Sequence, residues 1–234
     1  MSMQEVKQQW NLLMEKIKTM KNCVILGAGG FGREVKMLIE QINAESKEYN
    51  VLGFYDDLTP KGTLINGLKV LGSVEDLNQV SEPTAVSIAI GAPKIKKKIV
   101  GQLTNPLLFF PKLIHPSVSL GISEDAIGKG AIICAGNIIT VNIKIGDFVI
   151  LNLGCTVGHD TVIGDYSAFM PQTNIAGEVN LGEGVYGGMG AGIINQVSIG
   201  DNVTLGAGTI VVKDMPSNCL VVGIPGKVIK HYER

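Results

Sequence analysis

Residues 145–186 read IGDFVI LNLGCT VGHDTV IGDYSA FMPQTN IAGEVN LGEGVY when cut every six positions, and that cut decides the fold. The register runs from Ile127 to Val211, and of its fifteen leading positions thirteen are Ile, Leu or Val, the exceptions being Phe169 and Gly187. Glycine often follows the leading residue, as at Gly128, Gly146, Gly158 and Gly164, and the fifth position is small or β-branched, as at Ala131, Val149, Thr161 and Thr173. A repeat this short cannot be a helix pair or a propeller blade; it is the hexapeptide signature of a β-helix. Three units make a triangular coil of about 18 residues. Leading residues then point inward and stack one coil apart, about 4.8 Å. The glycine after each is expected to supply backbone angles that other residues reach only at a cost. Such a solenoid buries a core only by stacking its neighbours.

Composition agrees. Hydrophobic residues make up 45% of the chain but aromatics only 5%, and 30 glycines suit a fold full of tight corners. A net charge of −1 makes no electrostatic case for nucleic acid or an anionic membrane as partner. The four cysteines (Cys23, Cys134, Cys155, Cys219) form no CxxC pair or metal-ligand spacing and read as reduced thiols. With no signal-type start and no membrane-spanning apolar run, the expected compartment is the cytoplasm.

Upstream of the repeat, Val6, Trp10, Leu13, Met14 and Ile17 predict an amphipathic helix over residues 1–20. The run Cys23–Leu26 is of strand type and leads through Gly27-Ala28-Gly29-Gly30-Phe31-Gly32 into a helical pattern, matching G-x-G-x-x-G at Gly27, Gly29 and Gly32. Backbone N–H groups at such a turn, with the positive end of the helix dipole, can hold a phosphate or diphosphate. A second strand, Val51–Tyr55, ends in Asp56-Asp57, where a carboxylate can accept hydrogen bonds from a ribose or base edge. A third, Ala85–Ile90, ends in Gly91-Ala92-Pro93 and opens a basic helix. Gly91 and Lys94 there are candidate ligand contacts, Lys94 to a phosphate, and the remaining lysines are expected on a solvated face. The expected architecture is an α/β Rossmann-like small parallel-sheet domain over residues 21–105, a linker over 106–116, and an all-β left-handed parallel β-helix over 117–234. The first sheet is too short for a whole dinucleotide and suits a mononucleotide portion. A turn that merely joins strand to helix stays open as the alternative.

Of three histidines, only His159 falls inside the repeat. Val157 and Thr161 point inward, so His159, at the third position of its hexad, points out of the prism. Eighteen residues on lies Gly177, a bare backbone whose N–H can face an oxyanion. An imidazole beside a carboxylate, Asp160, is the arrangement of an oriented general base.

The glycine turn, Asp56-Asp57, Gly158-His159-Asp160, the hexads and the closing Gly223-Ile224-Pro225-Gly226-Lys227 together resemble the bacterial nucleotide-sugar N-acetyltransferases and their sialic acid O-acetyltransferase relatives. The resemblance implies a homotrimer with acetyl-CoA lying along the coils in the groove between subunits, and a nucleotide-linked amino sugar held by the N-terminal domain. It implies His159 as general base with Asp160 orienting it, Gly177 N–H on the thioester oxygen, Met189 and Ala207 along the pantetheine arm, and an exposed Asn152 near the acceptor sugar. Gly30, Phe31, Asp56 and Asp57 fall where the family binds the nucleotide. Two departures stand out: Ala168 and Phe31 occupy positions where some relatives carry histidine. No metal is implied, since a β-helix hydratase needs three histidines on one metal and His115 and His231 lie outside the hexads. An O-acetyltransferase and a non-catalytic sugar-nucleotide scaffold remain as alternatives.

Overall fold

The computed structural model describes residues 20–232, and before them only Met3 and Val6; the helix expected over residues 1–20 lies outside the described residues. The N-terminal unit runs β1 (Lys21–Leu26), α1 (Gly30–Ser46), β2 (Tyr49–Tyr55), β3 (Leu64–Ile65), β4 (Leu68–Gly72), α2 (Val74–Leu77), β5 (Thr84–Ile88), α3 (Pro93–Gln102) and β6 (Leu108–Phe109). Its sheet has the order β3-β4-β2-β1-β5-β6, parallel throughout except for the β3–β4 hairpin. The central strand β1 is buried from Cys23 to Leu26, as the unbroken apolar run requires of a strand covered on both faces. Only Phe110, Pro111 and Lys112 separate β6 from β7 (Leu113–Ile114), which pairs with Ile132–Ile133 and opens the β-helix.

The repeat folds as its period demands. Two-residue strands build three parallel sheets, the faces of a prism, and each strand pairs with the one 18 residues on, as in Ile150↔Ala168, Thr156↔Asn174 and Val162↔Asn180. Leading and fifth-position side chains form one continuous buried core from Ile127 to Val221. The two exceptions in the leading column explain each other. Phe169 lies directly against Gly187 on the next coil, and a Cβ at Gly187 would sit 2.7 Å from the Phe169 ring. One oversized side chain takes the space its neighbour leaves.

The expected role of the second-position glycines is corrected. None of Gly128, Gly146, Gly158 or Gly164 has a positive φ; the left-handed residues are instead those at the fourth position, from Gly130 through Asn142, Asp160 and Glu178 to Gly208. At Gly158 the second position is glycine because the next coil is close: a Cβ there would lie 2.5 Å from the Gly177 nitrogen.

The two units share a core. Val35, Leu38 and Ile39 of α1 pack with Leu113, Ile132, Ile150 and Ala168 of one prism face. Phe148 stacks on Tyr166 at 5.4 Å and meets Phe110 edge-on at 5.0 Å. The solvated face expected for the α3 lysines is also corrected: Lys96 is only 1% exposed, and its Nζ lies 3.4 Å from the Ser167 carbonyl oxygen. Lys97 beside it pairs with Glu183. A helix wedged against a second domain buries one of its basic positions, which its own pattern does not show.

Two outcomes are expected. Phe169→Val and Gly187→Val should each destabilise, whereas the double variant restores an aliphatic pair and should exceed the sum of the singles by about 1 kcal/mol in urea unfolding. Burial holds Lys96 down to about 7 from an ordinary 10.5. The unfolded chain therefore binds the extra proton between those values, so this group's contribution to stability rises with pH across that window and its penalty is complete below it. The stability difference between the Lys96→Met variant and the parent should thus be largest near neutral pH and shrink toward pH 10.

Candidate active site

The prism has three corners, each a column of third-position residues. The first runs through Lys129, Asp147, Asp165, Glu183 and Asp201; the second through Ala135, Leu153, Pro171, Met189 and Ala207; the third through Val141, His159, Gly177 and Asn195. The turn that ejects His159 is fixed by Asp160, whose φ of 57° is the left-handed corner conformation, and by the Glu178 N–H, which donates to the His159 carbonyl at 2.7 Å. The imidazole is half exposed, and its Nδ1 lies 2.8 Å from Asp160 Oδ2. Its other edge rests on Gly177, where a Cβ would come within 2.6 Å of Nε2. Among the described residues, no protein acceptor takes the Gly177 N–H.

The hydrogen bond from His159, followed by one from the Asn142 amide, holds the Asp160 carboxyl below the usual carboxylate range. Asn142 Nδ2 donates to Asp160 Oδ1 at 3.0 Å from one coil away. Sequence reading did not single out Asn142, although its distance of 18 residues from Asp160 was there to be used. With the carboxylate ionised, Nδ1 carries the proton and Nε2 presents a lone pair to the outside. That is the tautomer a general base requires. The cysteines are no alternative nucleophiles, since all four are buried and burial pushes Cys155 up to about 11. Among the described residues no group of three or more His, Cys, Asp or Glu is placed to hold a metal ion.

A second group of expected residues meets elsewhere. Gly29, Gly30, Phe31, Asp56 and Asp57 line a cavity of about 470 Å³, walled on its apolar side by Leu58, Ile90, Ile95 and Ile99. Gly32 is there for packing, since a Cβ would strike the Gly27 carbonyl at 1.9 Å. At Gly29 a Cβ would meet nothing within 4 Å, so the open ground lies at the start of α1. Asp56 pins the turn: Oδ2 accepts from Ala28 N–H, and Oδ1 from Leu58 and Thr59. Against desolvation, these bonds hold its carboxyl below the ordinary range. Asp57 accepts the Val74 N–H on Oδ1 alone, which leaves Oδ2 for a ligand.

Three expectations change. Asn152, expected exposed, is 6% exposed, and its Oδ1 accepts the Leu153 N–H to close the second corner. Lys94 does not face the glycine turn; it lines a separate cavity of about 230 Å³ with Gly184, Asn202 and Tyr232, because the start of α3 lies over the first corner. Gly91 turns toward the β-helix, where a Cβ would be 3.8 Å from Met170 Cε. Met189 and Ala207 stack on adjacent coils, both exposed, but on the second corner rather than beside His159. One chain therefore presents three separate groups: a base corner, a second corner and a glycine-turn cavity.

Known proteins share this fold. Residues 22–103 match the family model of the PglD N-terminal domain. The chain is 32% identical over 200 residues to GDP-perosamine N-acetyltransferase of Escherichia coli, covering 85% of this chain and 81% of that one. This chain belongs to the acetyl-CoA-dependent nucleotide-sugar N-acetyltransferases. Among solved structures, the acetyltransferase domain of PglB from Neisseria gonorrhoeae in complex with acetyl coenzyme A superposes with a TM-score of 0.80 at 30% identity, over 90% of this chain and all of that one. PerB from Caulobacter crescentus, in complex with CoA and GDP-perosamine, gives 0.78 at 30% identity, over 89% and 97%. The expected left-handed β-helix behind a small Rossmann-like domain is thus the fold of this acetyltransferase, with acetyl-CoA as cosubstrate.

Gly177 has an ordinary φ, so alanine fits its backbone but not the imidazole. Gly177→Ala should leave thermal unfolding nearly unchanged while displaced ring geometry lowers kcat/KM by about 10²-fold, as a thiol-release assay would show.

Proposed function

We propose that the protein transfers the acetyl group of acetyl-CoA to the amine of a nucleotide-linked 4-amino-4,6-dideoxy sugar, in the cytoplasm and for bacterial glycan synthesis. The observation that carries the reading is the exposed Nε2 of His159, oriented through Nδ1 by Asp160 and set against the bare Gly177 backbone. An uncharged amine attacks the thioester carbonyl directly. His159 Nε2 takes the proton that the amine must lose, and Asp160 stabilises the imidazolium. The Gly177 N–H donates to the oxyanion as it forms, without a reorganisation cost at the moment of reaction. The imidazolium then returns its proton to the departing thiolate.

The nucleotide is held at the glycine turn. Gly29 and Gly30 at the start of α1 offer backbone N–H groups to the diphosphate, Phe31 gives a face for the base, and Asp57 Oδ2 accepts from base or ribose. Asp56 serves this site by holding the turn. We leave Gly91, Lys94 and Asn152 out of this contact set, because Lys94 lines a separate cavity, Gly91 turns toward the β-helix and Asn152 is buried.

A homotrimer completes the site. The relative GDP-perosamine N-acetyltransferase and PerB act on or bind a sugar nucleotide, and in this chain the base lies on one corner while Met189 and Ala207 lie on the next. Packing the third corner of one copy against the second corner of its neighbour brings His159 beside Met189 and Ala207, which then border the pantetheine arm. Exposed aliphatic residues along those corners and the face between them, Ile138, Val141, Leu153 and Ile194, support that contact.

His159→Ala should lower kcat at least about 100-fold while acetyl-CoA binding by calorimetry is retained. The test is thiol release with acetyl-CoA and GDP-, UDP- and dTDP-linked 4-amino-4,6-dideoxy sugars. Equal turnover in the variant, or no turnover by the parent with any of them, would reject the reading.

A further inference from the structure

The fourth position is left-handed in every hexad from that of Ile127 to that of Leu205, and the three corners fill it differently. At the first corner the residues are Gly130, Phe148, Tyr166, Gly184 and Asn202; at the second, Gly136, Gly154, Gln172, Gly190 and Gly208. At the third corner they are Asn142, Asp160, Glu178 and Gln196, with φ of 58°, 57°, 60° and 62° and no glycine. A non-glycine residue held there carries a conformational cost, and Glu and Gln lack the local relief open to Asn and Asp. The corner that bears the base is thus the one that never uses glycine.

The four side chains form two rungs of the same chemistry. Asn142 Nδ2 donates to Asp160 Oδ1 at 3.0 Å, and Gln196 Nε2 donates to Glu178 Oε2 at 3.2 Å. The carboxylates Asp160 and Glu178 lie on adjacent coils, so each would disturb the other if free to swing. Each is instead tethered to an amide on its far side, and the tethers draw the two acids apart. Asp160 Oδ1 is then occupied, and the carboxylate can turn only Oδ2 to His159. His159 is the largest influence on Asp160 and Asn142 the next.

We infer that Asn142 is a positioning residue for the reaction: it fixes the rotamer of Asp160 and, through it, the direction in which His159 Nε2 points. The inference rests on His159 being the general base. The Asn142 amide is engaged by Asp160, so its removal is expected to act on the chemical step and not on binding.

Two variants separate this role from a structural one. Asn142→Gly keeps the left-handed backbone without strain and deletes only the amide. It should lower kcat about 3- to 10-fold, with KM for acetyl-CoA and for the sugar nucleotide within about twofold and thermal unfolding nearly unchanged. Asn142→Asp keeps the shape but places a carboxylate against Asp160. The added negative charge favours the protonated imidazole, so the acid limb of the kcat/KM profile should move to higher pH by about half a unit or more. A kcat in Asn142→Gly within about twofold of the parent, or an unmoved acid limb in Asn142→Asp, would overturn the inference. The His159→Ala variant runs beside them. If it keeps full turnover, the general-base reading itself falls; if it is inactive while Asn142→Gly matches the parent, only the positioning role falls.

Discussion

The interior of the prism admits one leading side chain and one small one from each hexad, and every other feature of the molecule follows from that restriction. Coils stack at the spacing of a β-ladder, so a leading residue always meets its counterpart 18 residues away, and volume must be shared along the column. The Phe169–Gly187 pair shows how strictly: a ring is tolerated only where the next coil gives up its side chain altogether. The same spacing reaches the corners. Where glycine fills the second position, as at Gly128, Gly158 and Gly188, a Cβ would enter the backbone of the next coil, and the corners from Gly130 to Gly208 turn on a left-handed residue at the fourth position.

This rigidity is what makes the prism a useful platform for chemistry. A base on a mobile loop would need its direction set anew at each turnover. His159 instead stands on a corner whose backbone is hydrogen-bonded to the coils on both sides, with a carboxylate beside it and a bare glycine one coil on. The glycine acts twice, since the lack of a side chain at Gly177 lets the imidazole lie flat and leaves an N–H unengaged next to it. On the proposed reading, the corner supplies base, orienting acid and oxyanion donor within two coils.

Periodicity carried most of this in the bare chain. The inward column, the outward direction of His159 and its approach to Gly177 all follow from counting in sixes and eighteens. Counting failed where the period breaks. Ile114 and Leu120 belong to the β-helix, but a 3-10 turn at Glu124–Ala126 takes up an extra residue before Ile127 and hides the first coil from the repeat. It failed also where burial depends on a second domain. Nothing in Lys94-Ile95-Lys96-Lys97-Lys98 says which lysine meets the prism, and Lys96 is sealed by contact with residues some 71 positions away. The burial of Asn152 escapes the count for a related reason, since its side chain closes its own corner and the hexad pattern describes direction, not capping. The left-handed fourth position, in contrast, had a visible signal in Gly130, Gly136, Asn142, Gly154 and Gly184, which the more conspicuous second-position glycines outweighed.

The placement of the three functional groups has its own logic. One prism face is used up by the N-terminal domain, whose core runs into Ile132, Ile150 and Ala168. The first corner is occupied as well, by Phe110 against Phe148 and by Lys97 against Glu183. Among the described residues, nothing from the N-terminal domain covers the second and third corners or the two faces that meet at the third. A convex corner cannot by itself enclose a long, flexible acyl donor or keep water from a thioester. In the proposed homotrimer, two such corners from neighbouring copies would do so, each supplying the wall the other lacks, and a three-fold arrangement would leave no corner unmatched. On the proposed reading, the rigid column that orients the base is also the reason for a site shared between copies.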